Sequence, residues 1–343
     1  MRTPILTYSA INAFRNCPCK YRLRYVDGLK PLERPHALAF GSVIHAALEL
    51  WYRSVGSPTR LVDVLEFIDD AYEQRELEPK AKSDWHVARA MLIAYSNLYA
   101  DEEFAVVEVE KEFETELFDP RAQQLSSEYR IAGKVDGIVR CHDGLYLLEH
   151  KTATVVDGNY LDKLWTDTQI ALYGYYLRRL GYPIVGVIYN VLVKSRLKQA
   201  MGETQAEYEQ RLAELAAKNK SGKSNAKRQM PESDHDFQNR LAAWYARPEA
   251  FHRELIYLSE DRMRMLEQEV SQIAKQCSQA TREDSFYMNT SYCFHYGRAC
   301  EYLPYCQSGF SVHVADNLYE ISPPHEELGQ TVVGSLESGG AVF

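Results

Sequence analysis

The chain is short of three things, and each absence narrows what it can be. No apolar run in it approaches the roughly 18 residues that a membrane span needs. Its opening residues, Met1-Arg2-Thr3-Pro4-Ile5, hold no apolar stretch of the secretory kind, so a reducing, cytoplasmic setting is the expectation. Positive charge is not in excess: 39 Lys and Arg stand against 48 Asp and Glu, a formal net charge of −9. That balance argues against indiscriminate binding to polyanions but leaves room for a local basic groove. In a reducing setting the seven cysteines are free, metal-bound or cluster-bound rather than disulfide-paired. What is present is a core: 45% of 343 residues are hydrophobic and 12% aromatic, enough for one large domain or two ordinary ones.

Taken in order, residues 8–18 predict a helix capped by Ser9, with Ile11, Phe14 and Cys17 at helical spacing and Pro18 as its stop. Tyr21-Arg22-Leu23-Arg24-Tyr25 alternates apolar and basic residues. It reads as a solvated amphipathic segment, or as one whose Arg22 and Arg24 meet phosphates. Residues 40–54 predict an apolar helix capped by Ser42. It holds His45, with Glu49 one turn on; a lone histidine there is more often a satisfied core residue than a ligand. Residues 61–104 predict two amphipathic helices broken near Pro79. Residues 105–118 alternate, placing Glu108, Glu110, Glu112, Glu114 and Glu116 on one solvated strand face. Tyr129–Arg140 and Leu145–Lys151 complete a meander. A helix then runs from about Asp162 to Leu180, with Gln169 and Tyr173 on one face, and Ile184–Lys194 is a buried strand. Together these predict an α/β fold with a mixed sheet.

Residues 199–238 read as a mobile charged insertion, with a polar helix over Glu207–Lys218 followed by a basic cluster. Gly222-Lys223-Ser224 imitates a phosphate-binding loop, but that motif needs a buried strand before it, and a polar helix stands there. A long amphipathic helix is expected over Glu260–Gln279, and residues 311–343 read as a flexible tail.

Chemistry concentrates in one hairpin. Gly133-Lys134-Val135-Asp136-Gly137 and Leu147-Leu148-Glu149-His150-Lys151 read as strands joined by a turn with an Asp-Gly pair. The pairing sets Asp136 beside Glu149, with Lys151 on the same face as Glu149. Two carboxylates make a minimal hard-metal site, and a lysine beside them suits attack on a phosphate. An acid-x-Lys triplet also arises by chance, so its context decides. Separately, Cys293-x6-Cys300-x5-Cys306 offers three thiolates, one ligand short of a tetrahedral zinc site or a four-iron cluster. Cys17, Cys19 or His295 could be the fourth.

The order His45, Asp136, Glu149-x-Lys151, Gln169-x3-Tyr173 resembles the RecB-like branch of the PD-(D/E)XK nuclease superfamily. Phe14-x2-Cys17-Pro18-x2-Tyr21, Gly41-Ser42-x2-His45 and the three C-terminal cysteines share the likeness. The resemblance implies a restriction-endonuclease-like core, a mixed central sheet flanked by helices, with helical additions and an iron–sulfur clasp. It implies one nuclease domain over 1–310, its core about 40–195, with clasp segments 1–30 and 285–310. It implies His45, Asp136, Glu149 and the backbone carbonyl of His150 as ligands of Mg²⁺ or Mn²⁺, Lys151 at the attacking water, and Gln169 and Tyr173 as supports. Cys17, Cys293, Cys300 and Cys306 would hold a [4Fe–4S] cluster, with Zn²⁺ as the alternative; Cys19 would be spare. Glu149 departs from the Asp common in this branch, and the cysteine spacing is longer than in some relatives. Arg22, Arg24, Lys194 and Arg196 are the candidate nucleic-acid contacts. The implied activity is a DNA exonuclease of phage, recombination or repair type, acting on single strands or free ends in the cytoplasm or, if phage-encoded, the host cytoplasm. The alternative is a non-catalytic DNA-binding or structural subunit of a nuclease–helicase or CRISPR-adaptation complex. No helicase motif is present, so a helicase or recombinase partner would act in trans.

Overall fold

The computed structural model describes residues 3–32, 36–73, 79–219, 223–295, 297–326 and 328–329. In chain order the elements are β1 (Ile5–Leu6), α1 (Tyr8–Asn16), α2 (Pro18–Tyr21), β2 (Leu29–Pro31), α3 (His36–Arg53), α4 (Arg60–Glu73), α5 (Pro79–Leu98), β3 (Ala105–Asp119), β4 (Gln124–Cys141) and β5 (Gly144–Ala153). Then come α6 (Gly158–Leu164), α7 (Thr168–Arg179), β6 (Ile184–Val193), α8 (Gln205–Lys218), α9 (Asp234–Tyr245), β7 (Phe251–Tyr257), α10 (Glu260–Glu283), β8 (Phe294–His295), β9 (Arg298–Ala299), α11 (Leu303–Gln307), α12 (Val312–Leu318) and β10 (Tyr319–Ile321). None of the described helices is long and apolar enough to cross a membrane.

The meander β3–β4–β5 forms as its alternation predicts, and it opens a six-stranded mixed sheet. β5 and β6 run parallel, linked through α6 and α7, while β7 returns antiparallel to β6. The sheet is covered on both faces. One cluster joins it to α1, α7 and α10 through Ile11, Phe14, Ile170, Tyr176 and Val270; the other joins it to α3, α4, α5 and α9 through Ile44, Leu48, Phe67, Met91 and Phe237. This is the mixed α/β architecture expected of a restriction-endonuclease-like core.

The decisive detail is where β4 and β5 part. Their ladder runs from Cys141↔Gly144 to Gly137↔Leu148 and stops. Below the stop β4 pairs instead with β1, at Ile5↔Arg130 and Leu6↔Ile131. Asp136 and Glu149 are the first residues past the last rung, so both stand at the mouth of a fork in the sheet.

Several boundaries differ from expectation, each for a local reason. The cap of α1 is Thr7, not Ser9: the Thr7 hydroxyl accepts from the Ala10 N–H at 3.3 Å, and Pro18 opens α2 at its first position instead of only closing α1. α3 passes straight through Ser42. Its Gly41 lies so close to β5 that a Cβ there would come within 3.3 Å of the Thr152 hydroxyl. The helix expected over 162–180 is two helices, because Asp167 caps a fresh start at α7 by accepting from the Gln169 N–H at 2.8 Å. The charged insertion is not loose throughout. Glu203 gathers Arg211, Arg228 and the Gln229 N–H, and α9 buries Phe237 and Leu241. The Gly222 of the imitation phosphate loop falls outside the described residues; Lys218 ends a helix with no strand before it. The expected flexible tail is folded over its first part: β10 pairs antiparallel with β2, and Lys30 holds Glu326 at 2.9 Å.

Candidate active site

Odd-numbered positions of β5 face α7, so Glu149 and Lys151 point together, as their spacing predicts. The Lys151 ammonium donates to Glu149 Oε1 at 2.5 Å and to Gln169 Oε1 at 3.3 Å; the Gln169 amide in turn donates to the Tyr173 hydroxyl at 3.3 Å. Tyr173 is seated by Gly133, where a Cβ would stand 2.6 Å from the Tyr173 ring and 2.9 Å from Phe113. The glycine that opens the Gly133–Gly137 stretch is therefore a packing requirement of the site.

Asp136 takes two partners. Its Oδ2 accepts the His150 backbone N–H at 2.7 Å and lies 3.5 Å from His45 Nδ1, which α3 brings in from the other helical layer. Burial alone would raise the Asp136 carboxyl, but His45 and the His150 N–H outweigh it and hold it well below the usual range. His45 is raised: burial opposes its charge, and Asp136, with Glu149 behind it, overcomes that. Glu149 is 3% exposed and is pushed up to about 7, by burial first, with Asp136 adding and Lys151 opposing. Lys151 is held above its ordinary value: burial works against the charge, and Glu149 prevails. A buried and a half-buried carboxylate crowding one fork, with the buried one forced towards its neutral form, is a donor set that a divalent cation would relieve. Among the described residues no three His, Cys, Asp or Glu side chains converge closely enough to form a metal cage as they stand. Lys151 and His45 meet the carboxylates instead.

One residue is missed by sequence reasoning. The alternation places Glu110 on the solvated face of β3, yet it adopts a left-handed φ of +52° and turns inward to Lys134 at 2.5 Å. Burial, then the charge of Asp136, pushes its carboxyl up to about 7. Nothing in the run of alternating glutamates singles it out. Glu112, Glu114 and Glu116 keep to the outer part of the strand, as expected.

The opposite face of β5 is closed. His150 stacks on Tyr52 (5.4 Å, 14°), and its Nδ1 lies 3.0 Å from the Asn190 amide, which also donates to the Tyr95 hydroxyl at 2.7 Å. Tyr95 and Tyr52 share a 2.5 Å hydrogen bond, and Glu102 ties Tyr52 to Arg253. Burial lowers His150 to about 3, so its ring is neutral at neutral pH.

The cysteines of the two chain ends meet in one corner. Cys17, Cys19, Cys300 and Cys306 pack with Leu23, Leu29, Tyr302 and Tyr319, and Cys300 donates its N–H to the Cys293 carbonyl at 2.8 Å. All are free thiols, and the Cys19 and Cys306 side chains hydrogen-bond each other. His295 stacks on Tyr292 at 4.5 Å. Of the four candidate nucleic-acid contacts, Lys194 is engaged inward with Asp84 at 2.7 Å and over the Phe40 ring. Arg22 lies near Asp27 and Asp284, Arg24 donates to the Pro323 carbonyl, and Arg196 is exposed.

Comparison with known proteins agrees with the fold. The sequence model of the PD-(D/E)XK nuclease superfamily matches residues 5–307. No curated protein matches the chain. Among solved structures, the one described as "Crystal structure of SSO0001" is 15% identical, covers 59% of this chain and 73% of its own, and superposes with a TM-score of 0.21, too distant to carry an argument.

Proposed function

The chain belongs to the PD-(D/E)XK nuclease superfamily, and from that premise we propose that it is a divalent-metal-dependent DNA exonuclease of the RecB-like branch. The observation that carries the reading is the fork: Asp136 and Glu149 stand at the first unpaired positions of β4 and β5, with Lys151 and Gln169 hydrogen-bonded in series beside them. His45, Asp136, Glu149 and the His150 carbonyl suit Mg²⁺ or Mn²⁺ by their chemistry, the imidazole tilting the set towards Mn²⁺. Such an ion would supply a nucleophile at neutral pH and neutralise charge on the phosphate.

The protein's own groups do the rest. Lys151, kept protonated by Glu149, is suited to neutralise a non-bridging oxygen as negative charge develops, rather than to accept a proton. Gln169 fixes the ammonium, Tyr173 fixes Gln169, and Gly133 lets Tyr173 approach. Glu110 and Lys134 form a second charge pair beside Asp136 and position it from the β3 side. In the same reading residues 1–310 are one nuclease domain, and Cys17, Cys293, Cys300 and Cys306 hold a [4Fe–4S] cluster joining its two ends. The gathering of both sets of thiols supports this, with Cys19 next to Cys306 as a further ligand choice and Zn²⁺ as the alternative occupant. DNA with single strands or free ends is the proposed substrate. The test is purified protein with 5′- and 3′-labelled single- and double-stranded DNA, in Mn²⁺ and in EDTA. Release of short products from one end in Mn²⁺ alone is expected; intact DNA in every condition would leave only the non-catalytic subunit. Visible absorption lost on reduction or chelation separates iron–sulfur from zinc.

A further inference from the structure

A cleft of about 210 Å³ opens beside Gln169, between α1, the α6–α7 connection and α10. Arg15, Thr166, Thr168 and Arg262 supply its polar lining, Met265 part of its apolar lining, and Glu269 its one carboxylate. Two guanidiniums against one carboxylate make it locally basic on a chain of net charge −9. Neither Arg15 nor Arg262 has a carboxylate within ion-pair distance among the described residues. Arg262 is nonetheless fixed, because it donates to the Thr166 carbonyl at 2.9 Å. Asp167 lies in the same connection, but its oxygens are taken by the Gln169 N–H and the Tyr189 hydroxyl, both at 2.8 Å. Trp165, the chain neighbour of Thr166, is 55% exposed at the end of α6. A pair of guanidiniums and two threonines, with an exposed indole one residue along the chain, suits a nucleic-acid strand: backbone phosphate on the cations, a base on the ring.

We propose that this cleft seats the backbone of single-stranded DNA immediately outside the reacting phosphodiester, with Arg15 and Arg262 on a phosphate and Trp165 stacked on a base. The placement is set by connectivity. Thr168 lines the cleft, and its neighbour Gln169 touches Lys151. In this placement a strand whose reacting phosphate lies at Lys151 passes the cleft with its adjoining nucleotide. The cleft holds one sugar-phosphate unit and not a duplex. The proposal rests on the nuclease reading for its orientation and not for its existence. Arg15, Arg262 and Trp165 are binding and positioning residues and take no part in bond cleavage.

The test compares the full-length protein with the Arg15→Ala/Arg262→Ala double variant and the Trp165→Ala variant. Three readouts are taken: cleavage of a single-stranded oligonucleotide, cleavage of bis(p-nitrophenyl) phosphate, and oligonucleotide binding by anisotropy in EDTA at several salt concentrations. The double variant is expected to raise the oligonucleotide KM by about tenfold or more with kcat little changed. It should also flatten the slope of log K against log salt by about 0.7 for each phosphate that is no longer neutralised. The small diester should be cleaved as before, since it never reaches the cleft. Trp165→Ala should weaken binding about fivefold or more without changing the salt slope. The Arg15→Lys/Arg262→Lys variant should keep most of the binding, which shows that charge and not packing is read. Unchanged KM and salt slope in the double variant would overturn the proposal. So would an equal loss on both substrates. If the wild type cleaves neither substrate, the nuclease reading fails, and the binding slope in EDTA still decides for or against the cleft.

Discussion

One strand, β5, presents two different interiors. Its α7-facing side carries Glu149 and Lys151, where a carboxyl is pushed up to about 7 and charge is left over. Its α3-facing side carries His150, whose ring is neutral, stacked and hydrogen-bonded into a chain that ends on the Arg253–Glu102 ion pair. Glu149 and His150 are neighbours along the backbone and equally buried. Their two sides differ in charge: two carboxylates, an ammonium and an imidazole crowd the first, and a neutral imidazole, an amide and two phenols line the second. Crowded like charges perturb the groups that carry them, whereas neutral groups held in one network support the fold.

The largest expected effect breaks the charged side alone. Asp136→Ala should lower DNA cleavage by about 10³-fold or more, equivalent to about 4 kcal/mol of transition-state stabilisation, while the circular dichroism spectrum stays near wild type. Initial rates on labelled DNA check it, and a wild-type rate would remove Asp136 from the site. Gly133→Ala reaches the same side through packing. Its methyl would overlap the Tyr173 ring, so about 1–3 kcal/mol of stability should go, together with turnover, as Tyr173 releases Gln169. Thermal melts and rates should fall together; loss of stability with full activity would show that Tyr173 is no support. Asn190→Ala attacks the closed side. It strips partners from His150 and Tyr95 and should cost about 1–3 kcal/mol in urea unfolding, with much less effect on kcat than Asp136→Ala. A collapse of kcat at unchanged stability would erase the distinction between the two faces.

The smallest effect sharpens the comparison through pH. Glu149 has its carboxyl raised from 4.5 to about 7, so in metal-free protein the native state holds this proton more tightly than the unfolded state does. Its contribution to stability is full below about 4.5 and is lost as pH rises through about 7. His150 is lowered from 6.5 to about 3, so its contribution is present above 6.5 and is lost as pH falls towards 3. Between 4.5 and 6.5 the two faces of one strand pull the stability curve in opposite directions. Glu149→Gln should therefore make the slope of unfolding free energy against pH more positive, by up to about 1.4 kcal/mol per pH unit in that window. Urea melts in EDTA at several pH values measure it; an unchanged slope would show that Glu149 is ionised throughout.

Legibility followed the range of the interactions. The hairpin was readable because strand period and turn chemistry are local, and the pairing of Glu149 with Lys151 is a consequence of period two. The break at Asp167 was also available locally, since Asp-Thr-Gln is a cap signal, but it was masked by apolar periodicity running on both sides. Glu110 was not readable at all. Its left-handed backbone arises in a strand whose register slips between Val106 and Glu108, and its inward turn exists only because Lys134 and Asp136 lie across the ladder. The pairing of β10 with β2 is likewise a meeting of distant segments, each too short to announce a strand.

By itself, the order of residues determined the α/β class, the strand that carries the acid-x-Lys pair and the helix that carries Gln169 and Tyr173, because hydrophobic period and turn residues act over a few positions. Only the tertiary structure decided that the β4–β5 ladder stops one rung short of Asp136 and Glu149, that His45 and Glu110 arrive there from two other elements, and that the cysteines of both ends share a corner. Those outcomes depend on how sheet twist and helix packing bring remote segments together, and no local stretch of sequence carries that information.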